Sequence, residues 1–368
     1  MTIKKFFYAT KILTNLIFLK KIYLINSPQN YISLIEYLNE RNIDDKRVKI
    51  FVGFTSPNSL NQILKIHKSK IGISNKLIFL QKVFSEKKKK LLTLLQVLKF
   101  NKSFCIVGDK KSYLFKLLYQ GSKKTIFLDD GLSLLTFKDN DIKVNEYELF
   151  SYFDLKSKKL VKNKFTYLKK KTLINNIDNN HIWLLGTPAA NFKIIKNKDY
   201  NKIINLFARK FKNKKIFFFP HRDEIIDNTF FLKNIIIKKN ITEPIEIYAC
   251  KQKKMPFLIA GFYSTALHIL SLILSEKKIT LMNINFDTNF VKTANLKKLY
   301  NLENLKKQYN LVKVIFKKRN IINFFKKIKK KTHIFMWAFL FSLQININYT
   351  LIKSVFLDTE NFFQCINQ

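Results

Sequence analysis

Four short segments carry residue types that could do chemistry together. Phe127-Leu128-Asp129-Asp130-Gly131 sets two carboxylates and a glycine behind an apolar run. A carboxylate there can take a proton from an attacking hydroxyl. Phe217-Phe218-Phe219-Pro220-His221-Arg222 ends an apolar run at a proline and then presents an imidazole beside a guanidinium. That pair suits an anionic oxygen, with Arg222 neutralising charge and His221 donating a proton or a hydrogen bond. Pro244-Ile245-Glu246-Ile247 places a carboxylate among apolar residues, where it needs a partner such as nucleoside hydroxyls or a lysine. Gly261-Phe262-Tyr263-Ser264-Thr265 leads a strand-like run into an apolar helix through two hydroxyls, which with backbone N–H groups make a phosphate site. Each segment also has an ordinary reading. Asp-Asp-Gly is a common hairpin turn, His221 can cap a following helix, and Ser264 can be a plain N-cap. His268, inside the apolar helix, reads as a core residue.

The elements that must position these groups alternate in type. Strands are expected at 21–25, 48–53, 103–107, 125–128, 182–185, 215–219, 245–249, 257–261, 279–283 and 312–316. Helical patterns fall at 31–40, 111–120, 199–212 and 265–275. Strand–helix alternation predicts an α/β fold with parallel sheets and crossover helices. Gly53, Gly108, Gly131 and Gly186 each follow a strand-like run, at the sheet edge where α/β proteins bind ligands. Residues 156–180 are rich in Lys and Asn without a clear core pattern and suggest a domain boundary. The expected organisation is an N-terminal Rossmann-like domain over 1–175, a second over 176–330, and a C-terminal helical segment over 331–368. Two such domains facing a central cleft would form a GT-B-like arrangement.

Composition narrows the function. Hydrophobic residues make up 47% of the 368, enough for a sizeable core and too many for a disordered chain. Three Cys without metal-ligand spacing argue against a disulfide scaffold or zinc ribbon. The formal charge is +43, yet of the 68 Lys and Arg only five are Arg (41, 47, 209, 222 and 319). Nucleic-acid readers lean on arginine, so the dispersed lysines argue against nucleic acid as a partner. They fit a solvated surface of biased composition, or attraction to an anionic membrane surface. Residues 6–19 are apolar but interrupted by Lys11, and no signal-peptide cleavage site follows. Ile334–Leu343 is too short to span a bilayer, and behind the basic run 326–331 it suits an interfacial anchor or a docked helix. A cytoplasmic protein is the expectation, with a peripheral place on the inner face of the cytoplasmic membrane left open.

Taken in order, the four segments resemble the D/E-D/E-G, His-Pro-type and S-S/T motifs of the bacterial sialyltransferases. The resemblance is to the polysialyltransferase family and its lipooligosaccharide sialyltransferase relatives. Residues 24–36, with the Ser27-Pro28-Gln29 turn, look like that group's opening strand, turn and helix. Leu185-Gly186-Thr187-Pro188, with Tyr200 and its helix, resembles the entry to its nucleotide-binding domain. The order Pro220-His221-Arg222 departs from His-Pro, and Asp129 stands where many polysialyltransferases have Glu. The resemblance implies an inverting, metal-independent transfer of sialic acid from CMP-sialic acid to a cell-surface glycan or glycolipid, such as lipooligosaccharide or capsule. It implies Asp129 as base, with Asp130 orienting the turn or exchanging roles with it. His221 would be the acid or phosphate donor, Ser264 and Thr265 phosphate ligands, and Glu246 the cytidine ligand. Gly186 would complete the donor side, and Arg222, read from its charge and not from the family, would add charge stabilisation there; Gln29 and Gly131 would lie on the acceptor side. No cofactor is expected. The alternatives are the same fold with another nucleotide-activated sugar, or a non-enzymatic basic protein that binds membrane or nucleic acid.

Overall fold

The computed structural model describes residues 14–15, 19–44, 49–53, 55–73, 76–80, 102–130, 144–153, 155, 157–191, 195–225, 231–239, 241–262 and 264–284. Gly131, the expected strand 312–316 and the segment 331–368 lie outside them.

The described chain runs β1 (Lys21–Ile25), α1 (Pro28–Glu40), β2 (Lys49–Val52), α2 (Pro57–His67), β3 (Lys76–Phe79), β4 (Lys102–Val107), α3 (Tyr113–Tyr119), β5 (Ser122–Leu128), β6 (Glu146–Ser151), β7 (Leu160–Lys162) and α4 (Thr166–Lys171). It continues with β8 (Asn176–Leu185), α5 (Asn197–Lys210), β9 (Lys215–Phe219), β10 (Ile235–Ile237), α6 (Ile245–Lys251), β11 (Lys254–Gly261), α7 (Thr265–Ile273) and β12 (Thr280–Asn283). The fold is α/β, as the alternation predicted.

The first sheet has seven strands in the order β3-β2-β1-β4-β5-β6-β7, and every pairing is parallel. The second has five, β10-β9-β8-β11-β12, with β10–β9, β9–β8 and β11–β12 parallel. Both orders are Rossmann-like. The chain starts in the middle of each sheet, works outward to one side, then returns to the other side of its first strand. Helices cover parallel sheets on both faces, so the strands read as unbroken apolar runs such as KIYLI and KIFFF. Ile22, Leu24, Phe51, Val107, Phe115 and Phe127 centre the first core. Ile182, Leu184, Ile204, Ile216, Phe218 and Leu258 centre the second.

The helix signals are local. Ser27 caps α1, its hydroxyl accepting from Asn30 N at 3.1 Å, and Pro28 follows at the first turn. Ser56 and Pro57 open α2 in the same way. Among the described residues no helix is long and apolar enough to cross a membrane.

Three expectations change. The strand expected at 245–249 is the helix α6: Pro244 stands at its N-cap, and Glu246, Ile247, Ala249 and Cys250 are buried on it. The alternating Ile-Glu-Ile imitates a strand, but one turn of helix buries the same residues. Residues 156–180 carry β7, α4 and the first half of β8 rather than a featureless linker. Asp129-Asp130 is not a hairpin turn, since β5 and β6 run parallel.

The described residues divide into two compact units. One holds those up to Asp178 together with Lys239–Met255 and His268–Lys277; the other holds Asn179–Lys238, Pro256–Leu267 and those from Lys278 on.

Candidate functional site

In the first unit the site residues gather at the carboxyl edge of the sheet. Leu128 pairs with Phe150, so the next residues, Asp129 and Ser151, meet where the strands end. Ser151 Oγ donates to Asp129 Oδ1 at 2.5 Å, Tyr152 N to Oδ2 at 3.1 Å, and Asn163 Nδ2 to Oδ2 at 3.5 Å. Asp129 is fully buried. Burial pushes its carboxyl up to about 7, against the lowering pull of Ser151, Tyr152, Asn163 and Lys162. This buried carboxylate stitches two strand ends together.

Asp130, the next residue, is half-buried. Asn30 holds it in place. The Asn30 amide donates to Gly108 O at 3.1 Å, Asp129 O at 2.8 Å and Asp130 Oδ1 at 3.3 Å. Gly108 permits this, because a Cβ there would sit 2.4 Å from Asn30 Cγ. Asn30, in the first turn of α1 just after β1, and Gly108, directly after β4, stand where the strand order reverses.

Tyr152 links further residues to this edge. Gln29 Nε2 donates to its hydroxyl at 2.9 Å. Burial raises the Tyr152 pKa well above its usual value, helped by the fields of Asp129, Glu246 and Asp130 and opposed by Gln29. Glu246 therefore belongs with the carboxylates of the first unit, in the first turn of α6. The ring of His268 packs against Tyr152 and stacks on Phe153, with centroids 5.0 and 5.5 Å away.

The other predicted residues stand at the carboxyl edge of the second sheet. Leu185 pairs with Phe219, which sets Gly186 beside Pro220, and Gly186 N donates to Phe219 O at 2.8 Å. Gly186 follows β8, His221 follows β9, and Ser264 follows β11. Because β8 lies between β9 and β11, the His221 and Ser264 turns flank it about 10 Å apart, twice the usual strand spacing. This is the point where the order of the second sheet reverses. Ser264, half-buried, accepts from Ala266 N at 3.2 Å and opens α7, with Thr265 next to it.

The state of His221 follows from its contacts. Burial, with the Arg222 charge acting in the same direction and Asp223 opposing it, lowers its pKa to about 4. The ring is neutral at pH 7. Its Nδ1 accepts from Asp223 N at 3.2 Å, so the ring proton sits on Nε2. Arg222 Nε stands 3.5 Å from Asp223 Oδ2.

Sequence reasoning passed over Glu224. Its Oε2 accepts from His221 N at 2.8 Å and from the Tyr200 hydroxyl, while Oε1 is buried without a hydrogen-bond partner. Burial pushes this carboxyl up to about 7, against the pull of His221 N–H and Tyr200. The sequence did hold a signal: an acid three residues beyond His221 can close a turn back onto its backbone.

No protein-family model matches the chain, and no curated protein matches it. Among solved structures, one from Listeria monocytogenes described as a UDP-N-acetylglucosamine 2-epimerase aligns over 67% of this chain and 75% of its own. The identity is 11% and the TM-score 0.42, a likeness too loose to carry inference about activity.

Proposed function

We propose that the chain is a nucleotide-sugar-dependent glycosyltransferase, and specifically one that moves sialic acid from CMP-sialic acid to a glycan hydroxyl. The observation that supports it most is the edge of the second sheet. A neutral imidazole N–H, a guanidinium and the Ser264-Thr265 opening of a nine-residue helix lie around Gly186 at one strand-order reversal. Such edges bind nucleotides in open α/β sheets, and a helix start with free N–H groups favours a phosphate.

The chemistry follows from the roles available. The acceptor hydroxyl attacks the anomeric carbon as its proton passes to a carboxylate. The bond from that carbon to the phosphate oxygen of CMP breaks, and the electron pair leaves on the phosphate. Asp130 takes the role of base in this reading, because Asp129 is enclosed by its hydrogen bonds and serves as the anchor. His221, neutral and protonated on Nε2, donates a hydrogen bond to the leaving phosphate. Arg222 adds positive charge beside it. A donor of this kind supplies about 2.7–4 kcal/mol in known oxyanion sites. A monophosphate leaving group makes a small demand for a bridging metal, so we propose activity that survives a chelator.

Glu246 is proposed on the acceptor side, with Gln29 and Asp130, rather than as a cytidine ligand. The test is incubation of purified protein with CMP-sialic acid and, in parallel, a panel of other nucleotide sugars. Release of CMP with transfer to a glycan supports the reading. Turnover of a different nucleotide sugar alone removes the sialic-acid part, and turnover of none removes the whole.

A further inference from the structure

We propose that Glu224 is a positioning residue: its carboxylate clamps the Pro220-His221-Arg222 turn to the Gly186-Thr187 turn, and so sets the direction in which His221 presents its Nε2–H. The proposal deepens the reading of His221 as the leaving-phosphate donor and rests on it for its catalytic consequence.

The carboxylate joins two elements of the fold. One oxygen, Oε2, accepts two bonds from two different elements. His221 N comes from the turn after β9, and the Tyr200 hydroxyl from α5. The same Tyr200 oxygen accepts from Thr187 N at 3.1 Å, in the turn after β8. The chain of bonds is therefore Thr187 N–H to Tyr200 O–H to Glu224 to His221 N–H. It fastens together the loops at two neighbouring strand ends.

Gly186 makes room for it. A Cβ there would stand 2.0 Å from Glu224 Oε2 and 2.9 Å from its Cδ. The carboxylate thus lies against the backbone of the β8 turn at the place where any other residue would expel it. From the far side, Asn191 holds the same turn, with Nδ2 donating to Asp223 O at 2.8 Å and Oδ1 accepting from Ile225 N at 3.3 Å.

Burying this carboxylate with one oxygen unpartnered is costly, and an exposed polar residue would avoid that cost. A surface turn does not require such a group. A turn whose imidazole must stay at a fixed angle does, since a displacement of about 1 Å can cost 10²-fold in rate. The titratable group meeting Glu224 from α5 is Tyr200, whose own pKa is raised by burial and by Glu224. On the same turn, the His221 ring answers first to burial, then to Arg222 and Asp223.

The experiment has two arms. In the first, the His221 ring resonances are followed by NMR through a pH titration of the full chain; five histidines make assignment by His221→Gln direct. Glu224→Ala releases the turn, and the midpoint moves from about 4 toward the ordinary 6.5 as the ring gains water. Glu224→Gln keeps the accepting oxygen and leaves the midpoint near its starting value. In the second arm, transfer kinetics show kcat about 10²-fold lower for Glu224→Ala with KM for the donor within a few-fold, and Glu224→Gln within a few-fold of the parent. Tyr200→Phe, which keeps the carboxylate and removes one link, shifts both readouts in the same direction by less. It decides the matter should Glu224→Ala fail to fold. An unmoved His221 midpoint in both Glu224→Ala and Tyr200→Phe overturns the proposal, as does a Gln variant no better than Ala at equal thermal stability. If the parent turns over no nucleotide sugar, the glycosyltransferase reading fails, while the NMR arm still decides what Glu224 does.

Discussion

Asp129 and Asp130 are neighbours with opposite fates, and the register of two strands is the reason. The pairing of Leu128 with Phe150 delivers Asp129 to Ser151 and Tyr152, where its oxygens are used up. Asp130, one residue on, stays half-buried and takes a bond from Asn30. Asp129→Ala should therefore act on stability, leaving the Ser151 and Tyr152 donors without an acceptor at a cost of about 1–3 kcal/mol. Thermal melts would show it. Asp130→Asn should leave the melt unchanged and reduce transfer by 10²-fold or more, the usual range for a lost general base. An Asp130→Asn variant with full activity would return the base to Asp129. Such a division was not legible in Asp-Asp-Gly, where the two residues look equivalent. At the other sheet, Ser264→Ala combined with Thr265→Ala should weaken CMP binding in calorimetry while leaving Asp130-dependent steps untouched.

Among the elements, α4 depends on a residue far away in the chain. Its N-cap, Phe165, has φ 50° and offers no side-chain cap. Glu36 of α1 supplies the missing acceptors: its Oε1 takes Leu168 N at 2.8 Å and its Oε2 takes Tyr167 N at 3.0 Å. Burial raises the Glu36 pKa from 4.5 to about 7, against the two backbone bonds. Because the folded value lies above the unfolded one, the contribution is complete below pH 4.5 and is lost as pH rises through 7. The stability of the parent relative to Glu36→Gln should therefore fall between pH 5 and pH 8, as read from paired denaturant titrations. A constant difference would mean that Glu36 titrates normally. Strands such as Lys21–Ile25 and Lys215–Phe219 were legible because burial on both faces leaves an unbroken apolar run. The strand Glu146–Ser151 was not, because its first half is polar and only Leu149, Phe150 and Ser151 are buried. The helix at Pro57 was readable in principle from Ser56-Pro57, the same start signal that opens the helix at Pro28.

At the scale of the molecule, the chain does not divide at one point. Leu173 N donates to Cys250 O at 2.8 Å, Asn175 N and Asn176 N each to Lys253 O at 3.1 Å, and Lys277 Nζ to Ile174 O at 3.2 Å. Phe153, about 1% exposed, rests against His268. A chain cut after Asp178 loses all of these partners and uncovers aromatic surface worth about 1.5–3 kcal/mol per side chain. It should lack the cooperative thermal transition of the full chain; a sharp melt for residues 1–178 would show that the later segments are dispensable. The amino-acid order alone determined the α/β class, most strand positions and the residue types at the strand ends, since apolar runs and caps are local signals. Only the tertiary structure decided that Glu246 stands with the first sheet's carboxylates, that Asp129 is closed, and that Glu224 holds the His221 turn. Those outcomes depend on which distant backbone groups arrive beside each side chain, and no spacing along the chain encodes that.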